Sequence, residues 1–320
     1  MSFLKREISF PSSDGVHTVF GYVYTPETEK PKGILQISHG MIDHVERYEK
    51  LAEYLTGKGY ILAGNDHLGH GRTANGNDSD LGHFSDEDGI DFLLSDLKQM
   101  NEKLKKEFPS LPIFLMGHSM GSFLSRLYTE KYPQSIAGHI IHGTGGSMGA
   151  ILPLGKALVK TLSFIKGKRY RSKFVAGLAF SGYNKYFAKE NSVYSWLTRD
   201  LSLVCHRGDE KFTSFIFTVT AYHDLFTMVG NSNSNKWFKN YPQDMKTIIL
   251  SGDMDPVGNY GKGPSFVFKK LIENGCAETL IKLYADARHE LFNETCREEV
   301  FFDICSWMDE IVKNGDFHRK

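Results

Sequence analysis

The run Leu111-Pro-Ile-Phe-Leu-Met-Gly117-His118-Ser119-Met120-Gly121 constrains this chain more than any other segment. An apolar, strand-like stretch stops at a serine flanked two residues to either side by glycine. Phe123, Leu124, Leu127 and Tyr128 then recur at helical spacing. A serine hydroxyl attacks only if its oxygen stands clear of the backbone, and a one-residue strand-to-helix turn is too crowded unless its neighbours lack side chains. This is the sequence form of a nucleophile elbow. A second pentapeptide of the same form, Gly145-Gly-Ser147-Met-Gly149, follows Ile140-Ile141 through Gly143-Thr-Gly-Gly146. That flexible link would not hold a hydroxyl in one place, so Ser119 is the candidate nucleophile.

The elbow needs a sheet and a helix, and the rest of the chain supplies the pattern. Short apolar runs at 19–24, 33–38, 60–65, 113–116, 136–141, 246–251 and 279–284 read as strands. Helical spacing at 47–56, 88–108, 122–132, 265–274 and 295–312 reads as the helices between them. Such alternation implies an α/β fold, a mostly parallel sheet with helices on both faces. The pattern breaks between about 146 and 236, where Leu154, Leu158, Leu162 and Ile165 keep helical spacing before aromatic-rich segments and the polar run Asn231–Asn235. Residues 1–145 and 237–320 are expected to form the core, with 146–236 a helical cap inserted above one end of the sheet.

With 320 residues and 41% hydrophobic content the chain can bury a sizeable core. Lys plus Arg equal Asp plus Glu at 38 each, so no overall field favours nucleic acid. The opening Met1-Ser-Phe-Leu-Lys-Arg-Glu carries charges where a secretory signal needs an apolar stretch. No run reaches the ~18 apolar residues of a membrane span, so a cytoplasmic protein is expected. Cys205, Cys276, Cys296 and Cys305 lack paired spacing and read as structural. From Ile151 to Val175 every charge is positive: Lys156, Lys160, Lys166, Lys168, Arg169, Arg171 and Lys173. This stretch reads either as a solvated face of the cap or as a surface drawn to anionic lipid or substrate, which would make the protein peripheral at a membrane.

A serine nucleophile needs a histidine base and an acid. The run at 246–251 ends in Gly252-Asp253-Met254-Asp255-Pro256, and the run at 279–284 ends in Ala285-Asp-Ala-Arg288-His289-Glu290, both at strand C-termini where open α/β sheets build their sites. His289 is the expected base and Asp253 the expected acid, with Asp255 in the same loop as the alternative. Among the twelve other histidines only His318 also follows the acid, in a polar tail expected to fray. The oxyanion that forms on attack needs two backbone N–H donors. Met120, following the nucleophile, is one. Met41, after the run at 33–38 and His39-Gly40, is the other. Gly40 and His118 are expected beside the substrate, Gly40 because it lets backbone approach closely. Asp66-His67-Leu-Gly-His70 offers metal-ligand types without a helix to present them, so no metal or cofactor is expected.

Five segments together resemble a known family: His39-Gly-Met-Ile-Asp-His44-Val-Glu-Arg47-Tyr48, Asn65-Asp-His-Leu-Gly-His70-Gly-Arg-Thr73, Gly117–Gly121, Ser251–Gly258 and Ala287–Glu290. They are similar to the monoacylglycerol lipase and lysophospholipase branch of the α/β-hydrolases, over almost the whole chain except the cap. The resemblance implies an eight-stranded sheet, a cap after the sixth strand, and cofactor-free hydrolysis of an acyl ester such as a monoacylglycerol or lysophospholipid. It carries Ser119, Asp253 and His289 over as nucleophile, acid and base, and Met41 and Met120 as oxyanion donors. Ser122 departs from the further glycine of many relatives and should only tighten the elbow helix. Short-ester hydrolysis and aminopeptidase activity on the same fold are the alternatives, and a pocket without catalysis is a third reading.

Overall fold

The computed structural model describes residues 3–27, 30–74, 79–190, 192–206 and 211–315. His318 lies outside them. Eight strands form one sheet in the order β1-β2-β4-β3-β5-β6-β7-β8: β1 (Phe3–Pro11), β2 (Thr18–Pro26), β3 (Gly33–Ser38), β4 (Tyr60–Asn65), β5 (Ile113–His118), β6 (Gly138–His142), β7 (Thr247–Gly252) and β8 (Thr279–Tyr284). β2 runs antiparallel to both β1 and β4, and the remaining pairs are parallel. The antiparallel β1 is absent from the sequence reading because most of its side chains are exposed or half-exposed on an edge, without the apolar alternation of a half-buried strand.

β3, β4, β5 and β7 are buried at every residue, as a parallel sheet covered on both faces requires. One face packs Leu35, Leu62, Phe114 and Met116 against Leu51 and Leu55 of α1 (Glu49–Thr56) and Phe301 and Trp307 of α10 (Arg297–Asn314). The other packs Leu115, Ile141 and Ile249 against α2 (Gly89–Glu107), α3 (Met120–Lys131) and α9 (Lys262–Glu273) through Leu93, Leu97, Phe123, Leu124, Val267 and Leu271. Each such fully buried side chain contributes about 1.5–3 kcal/mol.

Between the adjacent strands β6 and β7 the chain makes its long excursion, through α4 (Ile151–Lys166), α5 (Lys173–Ala179), α6 (Leu201–His206), α7 (Val219–Ser232) and α8 (Asn235–Asn240). α8 returns it to the core by burying Trp237 and Phe238. Arg126 of α3 is fully buried and joins both ends of the excursion, donating to the Ser232 carbonyl and, at 3.4 Å, to Thr144 Oγ1. Its charge lies against the Trp237 ring at 4.3 Å, and burial pulls its pKa down to about 9.

Two glycines make the elbow between β5 and α3 sterically possible. A Cβ at Gly121 would run into the Ser38 and His39 carbonyls, and one at Gly117 into the Gly121 carbonyl and Ser125 Oγ. Since the obstacles at Gly121 are backbone atoms of β3 and its loop, Gly121→Ala is expected to destabilise the fold by roughly 1–3 kcal/mol. Urea unfolding should show this as a lower midpoint at unchanged slope.

Candidate active site

Ser119 sits at the N-cap of α3 with φ +53° and ψ −119°, a conformation that non-glycine residues adopt at a cost of about 1–3 kcal/mol. Neighbouring bonds hold it there: Ser119 N–H donates to the His142 carbonyl at 3.0 Å, and the Ser119 carbonyl accepts from Ser122 N at 2.8 Å and Ser122 Oγ at 2.6 Å. The serine at 122 therefore adds a bond to the elbow rather than crowding it. Ser147 is exposed, and its Oγ accepts from Gly149 N at 3.3 Å.

His289 Nε2 lies 2.9 Å from Ser119 Oγ, and His289 Nδ1 lies 2.9 Å from Asp255 Oδ2. A carboxylate only accepts, so Nδ1 carries the proton and Nε2 is left as an acceptor facing the hydroxyl. Asp255 is fully buried, and its other oxygen accepts from Val257 N at 2.8 Å. The expectation of Asp253 as the partner carboxylate is corrected to Asp255. Asp253 N still donates to the Tyr284 carbonyl and Met254 N to the Ala287 carbonyl, prolonging the β7–β8 ladder beyond the strand ends. The chain leaves that ladder only at Asp255. Asp253 Oδ1 is buried without a hydrogen-bond partner among the described residues.

The loop after β3 abuts Ser119: a Cβ at Gly40 would stand 3.2 Å from Ser119 Cβ. Gly40 N–H donates to Asp43 Oδ2, the Gly40 carbonyl accepts from His39 Nδ1, and Ile42 N–H donates to His70 Nε2 at 3.3 Å. Ile42 has φ +54°, unusual for a β-branched residue, so the peptides on either side of Met41 are held in a strained turn. Burial lowers the pKa values of His39 and His70, the latter to about 3, which keeps them neutral and able to accept.

His118 does not stand where the sequence reading put it. It is buried beside His289, its ring centroid 4.9 Å from that of His289 and its Nδ1 2.7 Å from His142 Nδ1. Burial first, and the neighbouring His289 second, push its pKa down to about 3. It backs the site rather than facing a substrate. A further network carried no role in the sequence reading: Arg47 donates to Asp43 Oδ1 and to Glu290 Oε2, each at 2.7 Å, and Tyr48 OH donates to Asp43 Oδ2 at 2.8 Å. It ties the loop after β3 to the loop holding His289. The signal was present, since all four residues lie in the quoted motifs. Over the site, Trp196 places its ring centroid 5.2 Å from that of His289, with Tyr183 and Phe180 packed behind it.

Residues 29–296 match the family described as serine aminopeptidase, S33. The chain belongs to this family. It is thus a serine hydrolase of the α/β-hydrolase fold, and the known proteins it is similar to agree. A monoacylglycerol lipase of Mycolicibacterium smegmatis is 24% identical over 311 residues, 96% of this chain and 98% of that protein. Human monoglyceride lipase is 33% identical over 118 residues, so the matched stretch spans 37% of each chain. Among solved structures, a thermostable carboxyl esterase from Bacillus coagulans in complex with glycerol superposes with a TM-score of 0.89 at 26% identity, covering 97% of this chain and all of that one. A soluble variant of the Saccharomyces cerevisiae monoglyceride lipase shares the fold with a TM-score of 0.74 at 20% identity, over 96% and 94% of the two chains.

In this S33-family chain the two candidate carboxylates separate cleanly by substitution. Asp255→Asn is expected to lower kcat roughly a thousand- to ten-thousandfold, because the amide can hold the ring in the wrong tautomer. Asp253→Asn should leave kcat near wild type. Steady-state kinetics on one ester measures both.

Proposed function

We propose that this protein is a serine carboxylic-ester hydrolase for single-chain acyl esters such as monoacylglycerols or lysophospholipids. The observation that carries the reading is the continuous hydrogen-bonded chain Asp255–His289–Ser119 at the elbow. Ser119 Oγ attacks the acyl carbon while His289 Nε2 takes its proton. The carbonyl electron pair moves onto oxygen, which lies between the N–H groups of Met41 and Met120. The bond to the alcohol then breaks as His289 returns the proton to the leaving oxygen. Water, deprotonated by His289, repeats the sequence on the acyl-serine and releases the fatty acid. Asp255 holds the ring and stabilises its transient cation, and Gly40 leaves room for the acyl carbon beside Ser119.

The aminopeptidase description of the family favours peptides as the second reading. A substrate α-ammonium would want acidic partners in the cap, and residues 151–189 contain none. That same stretch supports contact with a membrane surface. Phe164 is 92% and Leu154 71% exposed, Ile151 and Ile165 on the same helix and Phe174 on α5 are exposed too, and Lys156, Lys160, Lys166 and Lys173 share these helices. An apolar face fringed with lysines fits an anionic bilayer. No described helix is long and apolar enough to cross one.

Two measurements test this reading. Long-chain monoacylglycerol and lysophospholipid should turn over faster than short esters, with Ser119→Ala reducing release to the blank while the far-ultraviolet circular dichroism stays unchanged. Peptide turnover without ester turnover would overturn the proposal. Phe164→Asp with Leu154→Asp should weaken co-sedimentation with phosphatidylserine vesicles while leaving hydrolysis of a water-soluble ester unchanged, and wild-type binding should fall with added salt.

A further inference from the structure

Two successive amides of the loop carrying His289 are satisfied from the excursion above the sheet. Glu290 N–H donates to the Leu197 carbonyl at 2.7 Å and His289 N–H to the Trp196 carbonyl at 3.4 Å. Arg288 N–H donates to Glu294 Oε1, a carboxylate that also accepts from Arg199 N and Arg199 Nε. The Arg288 guanidinium closes the arrangement. It forks onto Glu190, with Nη1 2.7 Å from Oε2 and Nη2 2.5 Å from Oε1, and donates to the Ser195 and Thr198 carbonyls while lying 4.0 Å from the Phe187 ring. A bidentate pair of this kind fixes orientation as well as distance. Thr198 Oγ1 donates to the Asn293 carbonyl, and Arg297 donates to Asp200 Oδ2. Residues 187–190 and 192–200 are thus sewn to residues 288–297, whereas α4 buries only Val159 and α5 only Val175.

We infer that one part of the cap, a strap over residues 187–190 and 192–200, positions the general base and is clasped by Arg288 and Glu190, whereas α4 and α5 lie outside this clasp. This rests on the reading of His289 as the base. The strap sets the backbone on which the imidazole is mounted and lays Trp196 against its ring, so Glu190 and Arg288 act as positioning residues without touching substrate. Loosening the clasp shifts the imidazole relative to Ser119 Oγ and slows attack, while the surfaces that bind the acyl chain stay in place.

The test uses the full chain, with hydrogen exchange of peptides spanning 285–291 and 192–198 measured beside steady-state kinetics on a water-soluble ester. Glu190→Gln, which keeps shape and removes charge, should raise exchange in both segments and not in the central strands, and lower kcat roughly 10- to 100-fold with KM within about twofold. Glu190→Asp should recover part of the loss. Arg288→Lys should behave like Glu190→Gln, since an ammonium cannot hold the carboxylate and two carbonyls at once. Unchanged exchange at 285–291 in Glu190→Gln, or raised exchange with unchanged kcat, overturns the inference. Activity persisting in Ser119→Ala would instead overturn the proposed function, and the exchange result would still decide whether the strap holds the histidine loop.

Discussion

Everything at this site hangs on the contact between α3 and the end of β3 through Gly121. With no side chain there, the first turn of α3 lies directly on the Ser38 and His39 carbonyls. That closeness forces Ser119 into its positive-φ turn and brings the loop after β3 against it. Adjacent parallel strands then deliver the other groups: β6 supplies the carbonyl that pins Ser119 N–H, and β7 and β8 end in the loops carrying Asp255 and His289. The strain of one serine is borne by a sheet buried on both faces, as functional strain requires.

A second constraint is electrostatic. His39, His67, His70, His118 and His142 crowd around the elbow, and burial lowers the pKa of each. Kept neutral, His39 and His70 accept the backbone N–H groups of His67 and Ile42, and the rings pack against one another without placing positive charge beside His289. The charged groups are arranged differently. Arg47 sits between Asp43 and Glu290, and Arg288 grips Glu190, so both of these guanidiniums meet a carboxylate, whereas buried Arg126 is held by a carbonyl and the Trp237 ring. Both pairs join loops that the topology leaves separate.

The central strands and the elbow were legible in the sequence because their signals are local: apolar runs for β3 to β7, paired glycines around Ser119. The carboxylate that meets His289 was not, because Gly252-Asp-Met-Asp255 offers two carboxylates of equal chemistry. The choice depends on how far the β7–β8 ladder runs past the strand ends, which only the paired chain can set. His118 was misplaced for a similar reason. Its position in the elbow motif says that it is near the serine but not that His142 stands behind to receive it. The strap was invisible because Glu190, Trp196 and Arg288 meet across about a hundred residues, with no periodicity to announce them.

The central claim is that one serine, made reactive by one histidine, does the chemistry. Mass mapping after reaction with an alkyl fluorophosphonate tests it most directly, since the reagent bonds only to a serine whose proton a nearby base removes. The account predicts a single adduct on the peptide containing Ser119, absent in His289→Ala protein. An adduct on the peptide containing Ser147, or labelling of Ser119 that survives His289→Ala, would contradict it.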